Sequence, residues 1–220
     1  MDKRLSTKRN RIDYSLYLVT DRNISKGRPL PDIVEAAVRG GVSVVQLREK
    51  VMAGRDFVAL ALAIQAVLKA YDIPLIINDR IDVALAVHAD GVHLGQTDVP
   101  LKMARRIVKG SMIIGVSTHT ATEAVQAEKD GADYIGVGPV FSTTTKKDTH
   151  PVIGIAGVAE IRNAVKLPIV GIGGIKIETA AQVIQHGADG IAVVSAIVSV
   201  DDPGQAAREL KTTIDKARRS

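Results

Sequence analysis

The sequence predicts an α/β protein, a single (β/α)8 barrel of the TIM type with eight parallel strands. Eight short apolar runs rich in valine, isoleucine and leucine recur along the 220 residues, and most are separated by stretches with helical periodicity. Runs without strict polar alternation are typical of strands covered on both faces, and helical connections imply parallel pairing. A complete barrel needs roughly 200 residues or more, so the chain has room for one barrel and little else.

The predicted strands lie in the apolar runs at residues 16–21, 44–49, 75–79, 91–95, 113–117, 134–140, 168–174 and 190–197. Helical spacing and capping residues predict helices over residues 31–39, 56–71, 120–130 and 179–186. Three runs follow an aspartate, Asp90, Asp133 or Asp189, in the turn between a helix and the next strand. Such turns lie at the amino-terminal face of a barrel, so we expect these three carboxylates to be structural.

Basic residues are concentrated at the two ends of the chain. The net charge is +5, but nine of the 29 basic and two of the 24 acidic residues lie in residues 1–12 and 211–220, which leaves 20 basic and 22 acidic residues between. The lack of hydrophobic periodicity predicts a flexible basic arm at residues 1–13, followed by the catalytic barrel domain at residues 14–220. A solvated charge run is the simpler interpretation of the arm, and an arm for nucleic acid or membranes is the alternative.

The composition argues against several classes of function. The absence of cysteine excludes disulfides, thiolate catalysis and cysteine-ligated metals. An aromatic content of 3% leaves little for stacking on exposed bases. No apolar run approaches the roughly 18 residues of a membrane span, and no signal peptide is apparent. We therefore expect a cytoplasmic protein that acts on small molecules, without nucleic-acid or membrane partners and with no oligomeric state indicated.

Two carboxylates follow the third and fourth runs, at the barrel face where active sites are built. Asp79 and Asp98 are nineteen residues apart. Adjacent strands lie about 4.8 Å apart, so both side chains can converge on one hard cation, for which Mg²⁺ is the natural choice. An acid–base pair or helix caps are the alternatives, because Asp98 precedes Val99 and Pro100 as an N-cap residue would.

Cationic and hydroxyl side chains follow the second and sixth runs. Arg48 and Lys50 project from the same side of the second strand end, and residues 143–147 read Thr-Thr-Thr-Lys-Lys. Several cations beside a magnesium site suit a polyphosphate. Taken alone, each segment also fits an exposed charged loop.

Residues 171–174 (Gly-Ile-Gly-Gly) and 193–195 (Val-Val-Ser) follow the predicted strands seven and eight. A phosphate commonly binds between these two loops of the fold, although the glycines also fit simple turns. A diphosphate near strands two to six and a monophosphate near strands seven and eight imply two phosphorylated substrates, and hence a transferase. His119 follows Ser117 by two residues, and its role is left open.

Six segments in one order resemble the thiamine phosphate synthase (thiamine-phosphate pyrophosphorylase) family. They are residues 46–50 (QLREK), 77–80 (INDR), 91–98 (GVHLGQTD), 136–141 (GVGPVF), 143–147 (TTTKK) and 171–175 (GIGGI). The likeness runs from about residue 16 to residue 202. It implies an enzyme that joins hydroxymethylpyrimidine diphosphate to a thiazole phosphate, or to its carboxylated form, with Mg²⁺ as cofactor. In this family diphosphate departs before attack, through a pyrimidine-stabilised carbocation.

The resemblance also implies roles for individual residues. The implied metal ligands are Asp79 and Asp98, and the implied catalytic residues are Arg48, Ser117 and Lys146. The implied pyrimidine diphosphate site consists of Gln46, Leu47, Arg48, Glu49, Lys50, Asn78, Ser117 and Lys146. The implied thiazole phosphate site consists of Thr143, Thr144, Thr145, Gly174, Val194 and Ser195.

Two other interpretations keep the same fold. Thiazole tautomerases share the fold and the thiazole phosphate site but lack the metal-binding pattern that this chain keeps at Asn78, Asp79, Asp98 and Lys146. A catalytically silent phosphate-binding barrel that serves a partner would need the glycine loops but no convergent carboxylates. Turnover with both substrates separates these interpretations.

Overall fold

The computed structural model describes residues 12–143 and 151–219 and confirms the predicted barrel. Each strand pairs in parallel with the next one in the chain, and the eighth pairs with the first to close the sheet. The strands are β1 (Leu16–Val19), β2 (Val44–Leu47), β3 (Leu75–Asn78), β4 (Gly91–Leu94), β5 (Ile113–Thr118), β6 (Tyr134–Val137), β7 (Ile169–Ile172) and β8 (Gly190–Val193).

The helices described follow the strands in the expected alternation. They are α1 (Leu30–Arg39), α2 (Gly54–Lys69), α3 (Ile81–Ala86), α4 (Leu101–Val108), α5 (Ala121–Lys129), α6 (Gly154–Ala164), α7 (Ile177–Gln185), α8 (Ser195–Val198) and α9 (Pro203–Ala217). The four predicted helices are therefore confirmed, as α1, α2, α5 and α7. The eighth apolar run contains both a strand and the start of a helix, because β8 ends at Val193 and Ser195 begins α8.

Side chains alternate along each strand between the barrel interior and the layer beneath the helices. In β1, Tyr17 and Val19 face the interior, whereas Leu16 and Leu18 pack in the outer layer. The interior cluster consists of Tyr14, Tyr17, Val19, Val44, Ile76, Ile113, Tyr134, Val170 and Ala192. The barrel is thus a packed core, and substrates have access only at its ends.

Gly115 makes room for the ring of Tyr134 in the barrel interior. A Cβ on Gly115 would lie 2.1 Å from Cζ of Tyr134, whose side chain is fully buried. We expect Gly115→Ala to lower the free energy of unfolding by about 1–3 kcal/mol, because overpacking displaces side chains or backbone. Urea denaturation measures the change. Gly54→Ala is the matched control, since its Cβ would meet nothing closer than 3.4 Å; equal stability of the two variants would contradict this view of the interior.

Polar side chains at the amino-terminal face bind the backbone of neighbouring strands. Before each even-numbered strand, one such side chain accepts a hydrogen bond from an N–H at the start of the preceding strand. The pairs are Ser43 with Leu16 (3.1 Å), Asp90 with Leu75 (2.9 Å), Asp133 with Ile114 (2.7 Å) and Asp189 with Ile169 (2.8 Å). The structural role predicted for the three aspartates is confirmed, and it repeats once per pair of strands.

The barrel contacts begin slightly before the predicted domain boundary. Ile12 packs against the interior cluster, and Asp13 accepts hydrogen bonds from the N–H and hydroxyl of Ser15 (2.9 and 2.8 Å). The rest of the predicted arm, residues 1–11, lies outside the described residues. Within the described ranges, no helix combines the length and apolar character needed to cross a membrane.

Candidate functional site

A cavity of about 510 Å³ opens at the carboxyl ends of the strands. Interior side chains such as Tyr17 and Tyr134 line it together with residues from the loops that follow the strands. The structure brings eight of the predicted site residues to this cavity: Gln46, Arg48, Asn78, Ser117, Thr143, Gly174, Val194 and Ser195. Residues from both predicted half-sites therefore share one cavity.

Side chains of the segment from Gln46 to Lys50 do not all face the cavity. Gln46 and Arg48 line the cavity, whereas Leu47 is fully buried in the layer beneath the helices. Glu49 also turns away from the cavity lining: its side chain is 5% exposed, and its Oε2 lies 3.7 Å from Arg22 Nη2. Burial raises the pKa of the Glu49 carboxyl. Adjacent side chains of a strand point to opposite faces, so Leu47 cannot face the cavity with Gln46. Leu47 and Glu49 have only backbone groups to offer there.

Arg48 is held at the cavity wall by contacts from the end of β1. Its Nη1 lies 3.4 Å from Asp21 Oδ2, and its backbone N–H donates to Thr20 Oγ1 at 3.2 Å. The side chain is 18% exposed, so its charge is only partly screened by solvent. The guanidinium is thus positioned before a substrate arrives.

The predicted metal ligand Asp79 sits in an unusual backbone conformation at the end of β3. Its φ is +62°, and the N–H of Arg80 donates to the carbonyl of Asn78 at 2.7 Å, which closes a tight turn around it. Positive φ is uncommon outside glycine, and such conformations cluster at functional sites. The turn brings Asp79 Oδ2 to 2.6 Å from Lys50 Nζ.

Asp98 lies beside Asp79 and does not cap α4. The N-cap position of α4 is Pro100, and Asp98 Oδ2 instead accepts the N–H of Gly95 at 2.7 Å. The helix-cap alternative for Asp98 is therefore wrong. The Gly95 contact turns the carboxylate back toward β4, where it interacts with Asp79.

The two carboxylates perturb each other. Partial burial and then the hydrogen bond with Asp79 raise the pKa of Asp98. Burial acts in the same sense on Asp79, but the hydrogen bonds with Lys50 and Asp98 keep the pKa of Asp79 below its ordinary value. The Lys50 ammonium interacts with both carboxylates and carries only one positive charge. Two adjacent carboxylates with this excess of negative charge suit a divalent cation.

The two carboxylates suit Mg²⁺ better than a metal whose ligands all come from the protein. Among the described residues, no group of three or more histidine, cysteine, aspartate or glutamate side chains is placed to hold a metal. Mg²⁺ is commonly bound by one or two carboxylates together with water and substrate phosphates. Asp79 and Asp98 match that requirement.

The opposite side of the cavity is formed after β7 and β8. Gly173 and Gly174 have φ of +100° and +64°, and a Cβ on Gly174 would lie 2.4 Å from the carbonyl oxygen of Ser142. Only glycine fits such a close approach of two loops without strain. Val194 and Ser195 follow β8 at the start of α8. Thr143 also lines this cavity, while Thr144, Thr145 and Lys146 lie outside the described residues.

Sequence reasoning missed several cavity residues on the barrel interior. Tyr17, His93 and Tyr134 line the cavity and connect Gln46 to Ser117 through hydrogen bonds. A tyrosine or histidine within an otherwise apolar strand was the available signal, since such a polar group needs a buried partner. His119 also lines the cavity, and its Nδ1 lies 2.5 Å from the Gly138 carbonyl oxygen.

Comparison with known proteins assigns the fold and the sequence to one family. The family model described as thiamine monophosphate synthase matches residues 16–197. The thiamine-phosphate synthase of Chloroflexus aurantiacus is 51% identical over 203 residues, covering 92% of this chain and 94% of the relative. That of Clostridium novyi is 50% identical, covering 90% and 98%. The solved thiamine phosphate pyrophosphorylase from Pyrococcus furiosus superposes with a TM-score of 0.87 at 38% identity, covering 94% and 98%. The chain belongs to the thiamine monophosphate synthase family.

Proposed function

We propose that the chain is a transferase that joins hydroxymethylpyrimidine diphosphate to a thiazole phosphate, giving thiamine phosphate and diphosphate. The observation that carries the proposal is the two-sided mouth of the barrel. Acidic and cationic side chains gather after β2 to β4, and a glycine-rich loop after β7 lies opposite with the short helix that follows β8. Such a site suits two phosphorylated substrates held face to face.

The acidic and cationic side binds the diphosphate substrate. Arg48, Lys50 and Lys146 neutralise the diphosphate as negative charge develops on it, while Asp79 and Asp98 hold Mg²⁺. When bound, the metal supplies charge neutralisation and orientation of the phosphate oxygens. Gln46, Asn78 and Ser117 hold the pyrimidine at the cavity wall.

The glycine-rich side binds the thiazole phosphate through Gly174, Val194 and Ser195, with the threonines at 143–145. The bond between the pyrimidine methylene and the diphosphate oxygen breaks first, and diphosphate leaves with the electron pair. The thiazole nitrogen then donates its lone pair to the methylene carbon to form the new C–N bond. Positioning and electrostatics are enough for this reaction, so the site needs no strong base or nucleophile.

The acidic pair separates this proposal from the two alternatives. A thiazole tautomerase or a silent phosphate-binding barrel has no use for Asp79 and Asp98 beside Lys50. We place the protein in the cytoplasm. No nucleic-acid or membrane partner enters the proposal.

Growth of a thiamine-requiring bacterium tests the proposal in cells. In a strain that lacks its own thiamine phosphate synthase, the chain is expected to restore growth without added thiamine. The Asp79→Asn variant, expressed at the same level, is expected to fail. Failure of the wild-type chain at normal expression would contradict the proposed activity.

A further inference from the structure

A chain of hydrogen bonds crosses the barrel interior between two predicted pyrimidine-binding residues. Gln46 Nε2 lies 2.9 Å from the Tyr17 hydroxyl, which lies 2.7 Å from the Tyr134 hydroxyl. The Tyr134 hydroxyl lies 2.9 Å from His93 Nδ1, and His93 Nε2 lies 2.9 Å from Ser117 Oγ. This hydrogen-bond chain thus joins β2 to β5 through side chains on β1, β6 and β4.

The intermediate members of the chain are almost completely buried. Tyr17, Tyr134 and His93 are 2%, 0% and 8% exposed. Burial raises the pKa of both tyrosines, so each remains a neutral phenol with one proton to donate. In such surroundings a hydroxyl proton without an acceptor is costly, and each proton must find its place in the chain.

The position of each hydrogen-bonding proton can be assigned in turn, starting from the Gln46 amide. The Gln46 amide donates to Tyr17, and the two recorded partners of the Tyr17 hydroxyl are Gln46 and Tyr134. Tyr17 therefore donates its own proton to Tyr134, and Tyr134 donates to His93 Nδ1. This leaves the neutral imidazole with its proton on Nε2, which donates to Ser117 Oγ.

Ser117 then keeps its own hydroxyl proton for the cavity that it lines. The ring nitrogens of a pyrimidine are hydrogen-bond acceptors, so a donor at Ser117 can pair with a ring nitrogen and an acceptor cannot. If the chain ran in the opposite direction, Ser117 would donate to His93 and offer only lone pairs to the substrate.

We propose that Tyr17, Tyr134 and His93 are positioning residues that hold the Ser117 hydroxyl as a donor toward the pyrimidine ring. The proposal rests on the proposed function for the identity of the ligand. The direction of the chain, however, is a property of the free protein. Failure of one can therefore be distinguished from failure of the other.

Two glycines support the placement of these rings. A Cβ on Gly115 would overlap Tyr134, and a Cβ on Gly136 would lie 3.1 Å from His93 Cε1. The ring centroids of His93 and Tyr134 are 5.5 Å apart. The glycines on β5 and β6 thus leave open the space that the rings of Tyr134 and His93 occupy.

Nitrogen-15 NMR of the imidazole tests the direction of the chain without substrate. The His93 signals, assigned by their loss in His93→Gln, are expected to show an unprotonated Nδ1 and a protonated Nε2. In Tyr134→Phe this preference is expected to be lost. Tyr14→Phe is the matched control, because the tilted Tyr14 ring packs against Tyr134 with centroids 4.8 Å apart, and none of the four hydrogen bonds described above involves Tyr14. A protonated Nδ1 in the wild type would overturn the proposal, whatever the activity.

Steady-state kinetics test the consequence for Ser117. Tyr134→Phe is expected to raise KM for the pyrimidine diphosphate about tenfold and to leave KM for the thiazole phosphate unchanged. His93→Gln keeps a donor near the position of Nε2 and is expected to retain most activity, whereas His93→Leu is not. Equal losses in the glutamine and leucine variants, with both folded by melting temperature, would overturn the positioning role.

Discussion

Asp79→Asn is expected to lower turnover by about two orders of magnitude or more. The substitution removes one charge from the proposed magnesium site without changing the size of the side chain, and charge compensation by a metal is worth several kcal/mol in such a reaction. Asparagine tolerates the φ of +62° at this position, so the fold is expected to persist. Initial rates at increasing Mg²⁺ concentration, together with the melting temperature, measure the effect.

Asp98→Asn provides a second test of the same site. The asparagine oxygen can still accept the N–H of Gly95, so a loss of turnover would reflect the lost charge and not a lost loop contact. Asp82→Asn is the control, because the exposed Asp82 carboxylate pairs with Arg80 at the start of α3 and is not among the groups that interact with Asp79 and Asp98. Full activity in either site variant would rule out the proposed metal ligands.

Ser195→Asp is expected to raise KM for the thiazole phosphate by about a hundredfold while leaving KM for the pyrimidine diphosphate nearly unchanged. The new carboxylate would lie where the phosphate is proposed to bind, and two like charges repel strongly at short distance in a partly enclosed cavity. Stability is expected to hold, because Ser195 begins α8 and an acidic residue is favourable at a helix start.

The uncharged variant Ser195→Ala is the matched control and is expected to change KM by less than about tenfold. Separate binding titrations of the two substrates distinguish the two sides of the cavity. Weaker binding of the pyrimidine diphosphate alone in Ser195→Asp would mean that the two half-sites are assigned the wrong way round.

The fold was predictable because its signal is local. Strands covered on both faces need apolar side chains at every position, which gives the runs, and the residue that ends each run lies at the barrel mouth. The end of the eighth run was not predictable in this way. The short helix that begins at Ser195 is as apolar as a buried strand, and run length alone does not separate the two.

The site was predictable only in part. A contiguous motif placed Leu47 and Glu49 with Arg48 in one site, whereas strand alternation puts Leu47 in the outer layer and the buried Glu49 pairs with Arg22. A polar residue in an apolar strand marks Tyr17, His93 and Tyr134 one by one, but their hydrogen bonds to one another were not predictable, because the three come from strands that meet only when the barrel closes. Val99 and Pro100 after Asp98 are typical of a helix start, which indicated a helix cap. The Asp98 carboxylate instead accepts the N–H of Gly95.

Stoichiometric product formation by the purified chain tests the central proposal most directly. The protein is incubated with hydroxymethylpyrimidine diphosphate, thiazole phosphate and Mg²⁺, and diphosphate and thiamine phosphate are both quantified over time. We expect the two products to appear in equal amounts, and only when both substrates and the metal are present. Diphosphate release without thiamine phosphate, or full turnover after removal of Mg²⁺ by a chelator, would contradict the proposed metal-assisted joining of two substrates.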